Sequence, residues 1–195
     1  MQKEQNIFLI KQKEWKTMII EWAQFLKDGI NLNKKRASIT VGVFDGVHLG
    51  HRELIKKVVS YNPDNISIAF TFKEMPGNIQ PFEEKAKMLL DLGINIIIVI
   101  DFNDSFRHIS GNDFLEILLR NIDIGFFAAG DDFRCGFCRN TDAKAIKEYY
   151  ALNSIPVEIV PQVMEGDSPI SSSRIRSCIN AGEIELAERM LGRKL

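Results

Sequence analysis

Five short apolar runs, rich in β-branched residues, recur along the chain at residues 38–44, 66–72, 94–100, 124–129 and 157–160. None alternates strictly between apolar and polar positions. Continuous apolar runs of this length fit strands buried on both faces, as in a parallel sheet. Between them the period lengthens to that of helices. A helix is expected over 50–61. Another is expected over 82–92, with Pro81 at its first turn and Gly93 closing it. Ser110 and Asp113 resemble a capping box ahead of a helix over 114–121, and Thr141 can cap one over 142–152. A further helix should begin at Ser171–Ser173 and end near Gly182, and a last one should run to Gly192. Strand and helix alternating five times imply right-handed crossovers: an α/β, Rossmann-like doubly wound parallel sheet of about five strands with helices on both faces.

Residues 1–37 read as a short strand at 7–10 and an amphipathic helix over 15–26, followed by the basic stretch Lys34-Lys35-Arg36. That stretch reads as a solvated connection. No repeat or linker divides the 195 residues, so one domain is the simpler count. The 25 basic and 26 acidic residues give no general pull toward nucleic acid or membrane. The N-terminus lacks the apolar core of a signal peptide, and no run is long enough to span a bilayer. Three cysteines without an even framework suit a reducing cytoplasm. Cys135 and Cys138 form a C-x-x-C, but no second pair completes a zinc site, and they lie in a glycine- and arginine-rich loop where no helix begins. They are read as ordinary residues. Nor is a dedicated protein site for a metal expected.

In doubly wound sheets ligands sit outside the carboxyl ends of the strands. The loop after the first run, Gly42-Val43-Phe44-Asp45-Gly46-Val47-His48-Leu49-Gly50-His51, has glycines at 42, 46 and 50 and two histidines one helical turn apart. Glycines permit tight turning and close ligand approach, and a helix N-terminus attracts phosphate. Familiar alternatives are missing: the sequence has no P-loop, no G-x-G-x-x-G, no G-x-S-x-G elbow and no H-E-x-x-H. A second segment, Ile170-Ser171-Ser172-Ser173-Arg174-Ile175-Arg176, adds hydroxyls, another helix start and two guanidinium groups suited to phosphate oxygens. Two residues apart on a helix, Arg174 and Arg176 point in different directions, which favours Arg176 as the functional one.

The loop 42–51 resembles the signature of bacterial FAD synthetases, the FMN adenylyltransferase module of bifunctional riboflavin kinase/FAD synthetases, within the His-x-Gly-His nucleotidyltransferases. Gly130-Asp131-Asp132-Phe133-Arg134-Cys135-Gly136 is similar to that family's glycine-acid-Asp/Asn-Phe-Arg-Phe-Gly loop, and Ser171–Arg176 resembles its Ser-Ser-Thr/Ser-x-Ile-Arg segment. The resemblance implies transfer of AMP from ATP to FMN, giving FAD and pyrophosphate, with Mg²⁺ accompanying ATP. It implies His48, His51 and Arg176 as catalytic residues. It implies ATP contacts at Gly42, Phe44, Asp45, Gly46, Gly50, Asp132, Ser172 and Ser173. FMN contacts are implied at Phe72, Pro76, Asp132, Phe133 and Arg134. The expected partners are these small molecules alone, with no nucleic acid, no membrane and a monomeric chain.

Plainer readings stand beside these. The serines cap a helix whatever else they do, Asp45 can be a turn residue that orients the histidine loop, and His108 reads as an ordinary polar loop residue. The family usually shows Thr-Phe-Glu-Pro-His-Pro after its second strand, whereas this chain has Thr71-Phe72-Lys73-Glu74-Met75-Pro76. That departure leaves open another phosphorylated acceptor, or a flavin- or nucleotide-binding protein without turnover. The sequence stops at Leu195, about where the riboflavin kinase module would begin, so kinase activity is not expected.

Overall fold

The computed structural model describes residues 18–73 and 77–195. Six parallel strands form one sheet: β1 (Met18–Glu21), β2 (Ala37–Val41), β3 (Ile66–Phe72), β4 (Ile96–Ile100), β5 (Ile124–Gly130) and β6 (Val157–Val160). They lie in the order β1-β4-β3-β2-β5-β6. The order reverses beside β2, so the crevice of a doubly wound sheet opens between the carboxyl ends of β2 and β5.

Helices α1 (Trp22–Asp28), α2 (Leu49–Ser60), α3 (Phe82–Asp91), α4 (Asp104–Arg107), α5 (Gly111–Asn121), α6 (Ala143–Ala151), α7 (Ser172–Ala181) and α8 (Ile184–Leu191) surround the sheet. The continuous apolar runs are explained by burial on both faces. Ile96, Ile98 and Ile100 of β4 pack with Trp22, Phe25, Phe114 and Leu118 on one side. Ile97 and Val99 face Ile55, Ala86 and Leu89 of α2 and α3 on the other. A third, smaller core (Ile175, Cys178, Ala187, Met190, Leu191) joins α7 to α8. Among the described residues, no helix is long and apolar enough to cross a membrane.

The sheet has one strand more than expected, because four residues of the helix expected over 15–26 form β1. Met18-Ile19-Ile20 pair in parallel with Ile96–Ile98, and among the described residues the helix begins at Trp22. An open edge of a buried sheet offers a ladder of backbone partners, which here outweighs the local amphipathic period. The strand expected at 7–10 lies outside the described residues.

The caps largely follow the sequence. Ser110 Oγ accepts from the Asp113 amide at 3.1 Å, Ser171 Oγ from the Arg174 amide at 3.2 Å, and Gly182 and Gly192 close their helices in the left-handed region. Helix α6 is the exception: Asp142 caps it, accepting from the Ala145 amide at 2.9 Å. Thr141 instead pairs with Cys135 in a two-stranded ribbon, Arg134–Cys135 against Thr141–Asp142. This ribbon folds the loop after β5 against the start of α5. A Cβ at Gly111 would stand 1.9 Å from Thr141 Oγ1, and one at Gly136 would stand 2.3 Å from the Gly111 nitrogen. Gly111→Ala should therefore destabilise the protein by about 2 kcal/mol through overpacking, read as a lower urea midpoint; an unchanged midpoint would show that the contact relaxes freely.

Candidate active site

Strand β2 ends at Val41, and the chain then makes a conformationally costly turn. Phe44 lies in the left-handed region at φ 53°, Gly46 at φ 80° and Val47 at φ 40°, the last rare for a β-branched residue. Such strain persists only where the surroundings over-determine the backbone. Here every carbonyl from Val43 to His48 accepts a hydrogen bond. Val43 accepts from Thr71 Oγ1 at 2.9 Å and from Lys85 Nζ at 3.1 Å. Phe44 accepts from the Val47 amide, Asp45 from Ser172 Oγ, Gly46 from Arg193 Nη1, Val47 from Arg52 Nε and His48 from the Arg52 amide.

The turn delivers His48 as the N-cap of α2, its Nδ1 accepting from the His51 amide at 3.3 Å. Accepting there leaves the proton of the neutral ring on Nε2. One helical turn on, His51 stacks on His48 with ring centroids 3.6 Å apart, and the Phe44 ring stands edge-on to it at 5.2 Å. His51 Nδ1 is buried with no hydrogen-bond partner. Burial pushes the His48 pKa down to about 4 and that of His51 well below the ordinary value, with the His48 and Lys85 charges adding to the latter effect. Both rings are therefore neutral at pH 7.

Two of the three glycines make room for the protein's own rings. A Cβ at Gly42 would meet the Phe44 ring at 2.9 Å, and one at Gly50 the His48 ring at 3.3 Å. Gly46 supplies backbone conformation, and the space over it is filled by Ile79 and Leu191.

Asp45 is 2% exposed, and its carboxylate is fully engaged within the protein. Oδ1 accepts from the Ile79 amide at 2.8 Å, and Oδ2 takes the Arg176 guanidinium at 2.6 Å. Arg176 also reaches Ser173 Oγ at 3.2 Å, leaving that hydroxyl's own hydrogen to donate. The turn-orienting reading of Asp45 fits this geometry: it draws the start of α7 against the histidine loop. Arg174 points elsewhere, donating to the carbonyls of Ser168, Pro169 and Glu165 in the hairpin ahead of α7.

These groups line one end of a cleft of about 950 Å³. The other end is aromatic. Phe102 and Phe137 are nearly half exposed there, Phe72 meets Phe102 and Phe106 edge-to-face at 5.4 and 5.7 Å, and His108 stacks on Phe137 at 5.2 Å. Asp132, Phe133 and Arg134 also line the cleft. Of the residues implied by the motifs, all but Gly46 and Pro76 line this cleft; Gly46 lies behind it, and Pro76 falls outside the described residues.

Sequence reasoning missed Phe102, His108 and Phe137 as cleft residues, and also Lys85 and Arg193. The last two carried a faint signal. Lys85 occupies an inward position of α3, four residues before the buried Leu89, and Arg193 follows a helix-ending glycine. Cys135 and Cys138 border the cleft as free thiols, with Cys135 pushed up to about 11 by burial and so un-ionised.

A family profile described as FAD synthetase matches residues 30–174. The chain belongs to the FAD synthetase family. It is 34% identical over 179 residues to a bifunctional riboflavin kinase/FMN adenylyltransferase of Buchnera aphidicola subsp. Schizaphis graminum, covering 84% of this chain and 57% of that protein. It is 28% identical over 174 residues to the FAD synthetase of Listeria monocytogenes serovar 1/2a, covering 83% of this chain and 71% of that one. The chain thus spans little more than half the length of the bifunctional relatives it matches. Among solved structures, one described as a macrolide-efflux protein from Streptococcus pneumoniae superposes with a TM-score of 0.78 at 25% identity, over 90% of this chain and 61% of that one. The shared fold is the α/β sheet already described. For this family member, the observed cleft gathers the residues of all three motifs at one crevice.

Two outcomes follow for the loop. Asp45→Ala leaves the Ile79 amide without its acceptor and Arg176 without its partner, and should cost about 3 kcal/mol in chemical denaturation. A cost under about 0.5 kcal/mol would show that the pair contributes no more than a surface ion pair. His48 has a folded pKa lowered from 6.5 to about 4, so the unfolded state binds more protons between those values. Its contribution is full above pH 6.5 and lost as pH falls toward 4, on the order of 3 kcal/mol. His48→Asn keeps a capping oxygen but removes the titration, so its stability should fall less steeply over that window than the wild type's.

Proposed function

We propose that this chain is a single FAD synthetase-type nucleotidyltransferase domain, an FMN adenylyltransferase that transfers AMP from ATP to FMN and releases pyrophosphate. The observation that carries the reading is the two-ended cleft. One end presents neutral imidazoles, a helix start with serine hydroxyls, and a guanidinium; the other presents exposed aromatic faces suited to a planar ring. Family membership supports both substrates.

In this reading an oxygen of the FMN phosphate attacks the α-phosphorus of ATP, the bond from that phosphorus to the bridging oxygen breaks, and the electron pair leaves with pyrophosphate. No covalent intermediate on the protein is required, so positioning and charge stabilisation carry the rate. His48 and His51 hold the α-phosphate region. They are neutral when the cleft is empty, and the approach of phosphate charge raises their proton affinity, strengthening each N–H as negative charge grows. Ser172, Ser173 and Arg176 hold the departing phosphates. Asp132, Phe133 and Arg134 lie between the nucleotides, and Phe72 belongs to the flavin side. Magnesium accompanying ATP would supply positive charge that offsets the phosphates; among the described residues, no group of three His, Cys, Asp or Glu side chains is placed to hold a metal.

Incubation with ATP, Mg²⁺ and FMN should yield FAD and pyrophosphate in equal amounts. Pyrophosphate release with another phosphomonoester but not with FMN would select the alternative acceptor favoured by Lys73-Glu74-Met75. Tight nucleotide binding without any pyrophosphate would identify a binding protein. His51→Ala should lower kcat by roughly 100-fold or more with a far smaller change in KM for ATP, the pattern of a transition-state contact.

A further inference from the structure

Lys85 is 2% exposed, deep beneath the cleft floor. Its ammonium donates to the Val43 carbonyl at 3.1 Å and the Phe72 carbonyl at 2.7 Å. These two groups close the carboxyl ends of the adjacent strands β2 and β3, one at each side of the floor on which the histidine loop rests. The Phe82 ring lies 5.7 Å from the ammonium, and the ammonium also interacts through space with Asp45 and His51. Thr71 Oγ1 already donates to the Val43 carbonyl, so that oxygen has a partner without the lysine. Burying an ammonium costs several kcal/mol in lost hydration, whereas a neutral donor could satisfy Phe72 at less cost. A position that keeps a charge under such a penalty is using the charge.

We propose that Lys85 is a positioning residue for the histidine loop, its buried ammonium locking the ends of the two strands so that Phe44, His48 and His51 keep their strained, stacked arrangement. The inference rests on the adenylyl-transfer reading for its consequence in turnover, but not for its structural part. Val43 immediately precedes Phe44, whose left-handed backbone folds its ring over Gly42 and sets the edge against which His51 packs. Releasing the Val43 carbonyl on its Lys85 side removes one of the restraints that hold that backbone. The ammonium also acts through space: it opposes a positive charge on His51, while burial holds its own pKa down to about 8 against the upward pull of Asp45. The cation thus helps to fix where the histidine lies and adds to the burial that keeps its ring neutral.

The test uses Lys85→Met, which keeps the apolar stem, and Lys85→Gln, which can still donate to a carbonyl but carries no charge. Turnover is followed as FAD formation, and the imidazoles by NMR titration of the ligand-free protein. Lys85→Met should lower kcat roughly 10- to 100-fold, as expected for a misplaced catalytic group, with KM for ATP changed much less. In both variants the imidazole resonances of His51 should shift and its titration move to higher pH, with Lys85→Gln recovering part of the lost turnover. A folded Lys85→Met with wild-type kcat overturns the proposal. So does a loss of stability and turnover in which His51 shifts and titration are unchanged, since that would assign only a structural role. If Lys85→Met does not fold, Lys85→Gln decides by the same criteria. Absence of FAD formation by the wild type would count against the functional reading alone, because the NMR arm still reports whether Lys85 governs the histidine pair.

Discussion

The histidine loop depends on one accounting constraint: six consecutive backbone carbonyls, from Val43 to His48, turn through a backbone few side-chain-bearing residues tolerate, and each finds a donor. The donors come from β3, α2, α3, α7, the loop itself and the segment after α8. A buried carbonyl without a donor costs about 1–3 kcal/mol, so a turn of this kind could not persist on local propensity. The tertiary structure supplies what the turn itself lacks. In exchange, the turn fixes two imidazoles one above the other at a helix start, a placement that flexible side chains would not hold.

The sheet topology determines which elements can serve this loop. Placing β2 between β3 and β5 at the reversal of strand order gathers loops from both sides around one crevice: the histidine loop follows β2 and Ser172 follows β6, while Phe102 follows β4 and Phe137 follows β5. The α7–α8 hairpin, with its own small core, contributes Ser172, Ser173 and Arg176 from its start and is followed by Arg193, which holds the Gly46 carbonyl. It is therefore part of the site's framework as well as a source of ligand-facing groups. Asp45 ties the start of α7 to the histidine loop by accepting from Arg176, while its other oxygen accepts from the Ile79 amide.

Much of this was legible from the residues alone. Five of the six sheet strands follow from apolar runs, because strands buried on both faces need no alternation and leave a plain signal. The helix starts at Ser110 and Ser171 follow from hydroxyls with the right spacing to a backbone amide. Strand β1 was not legible, because a segment with an amphipathic helical period became a strand by pairing with an edge that only the assembled sheet presents. The site was legible as motifs but not as roles. Asp45 looked equally like a ligand or a turn residue until its buried partners were known. Gly42 and Gly50 line the cleft, and only the fold shows that they also seat aromatic rings. Lys85 follows Glu83 and Glu84, which are exposed while the lysine is buried, so the charge run gives no sign of its inward position. His108 and Phe137 lie 29 residues apart, and only folding brings the loops after β4 and β5 face to face.

The rings seated on Gly42 and Gly50 bear on how this sequence can drift. Each pair behaves as a single heritable unit. A methyl group on Gly42 would stand 2.9 Å from the Phe44 ring and force a shift, one on Gly50 would press on the His48 ring at 3.3 Å, and a smaller residue in place of either ring opens a void above the glycine. Either first step displaces a histidine or the phenylalanine beneath it before the second can compensate. Single substitutions at these glycines thus act on the loop through the protein's own aromatic rings, whether or not a ligand ever touches the glycines.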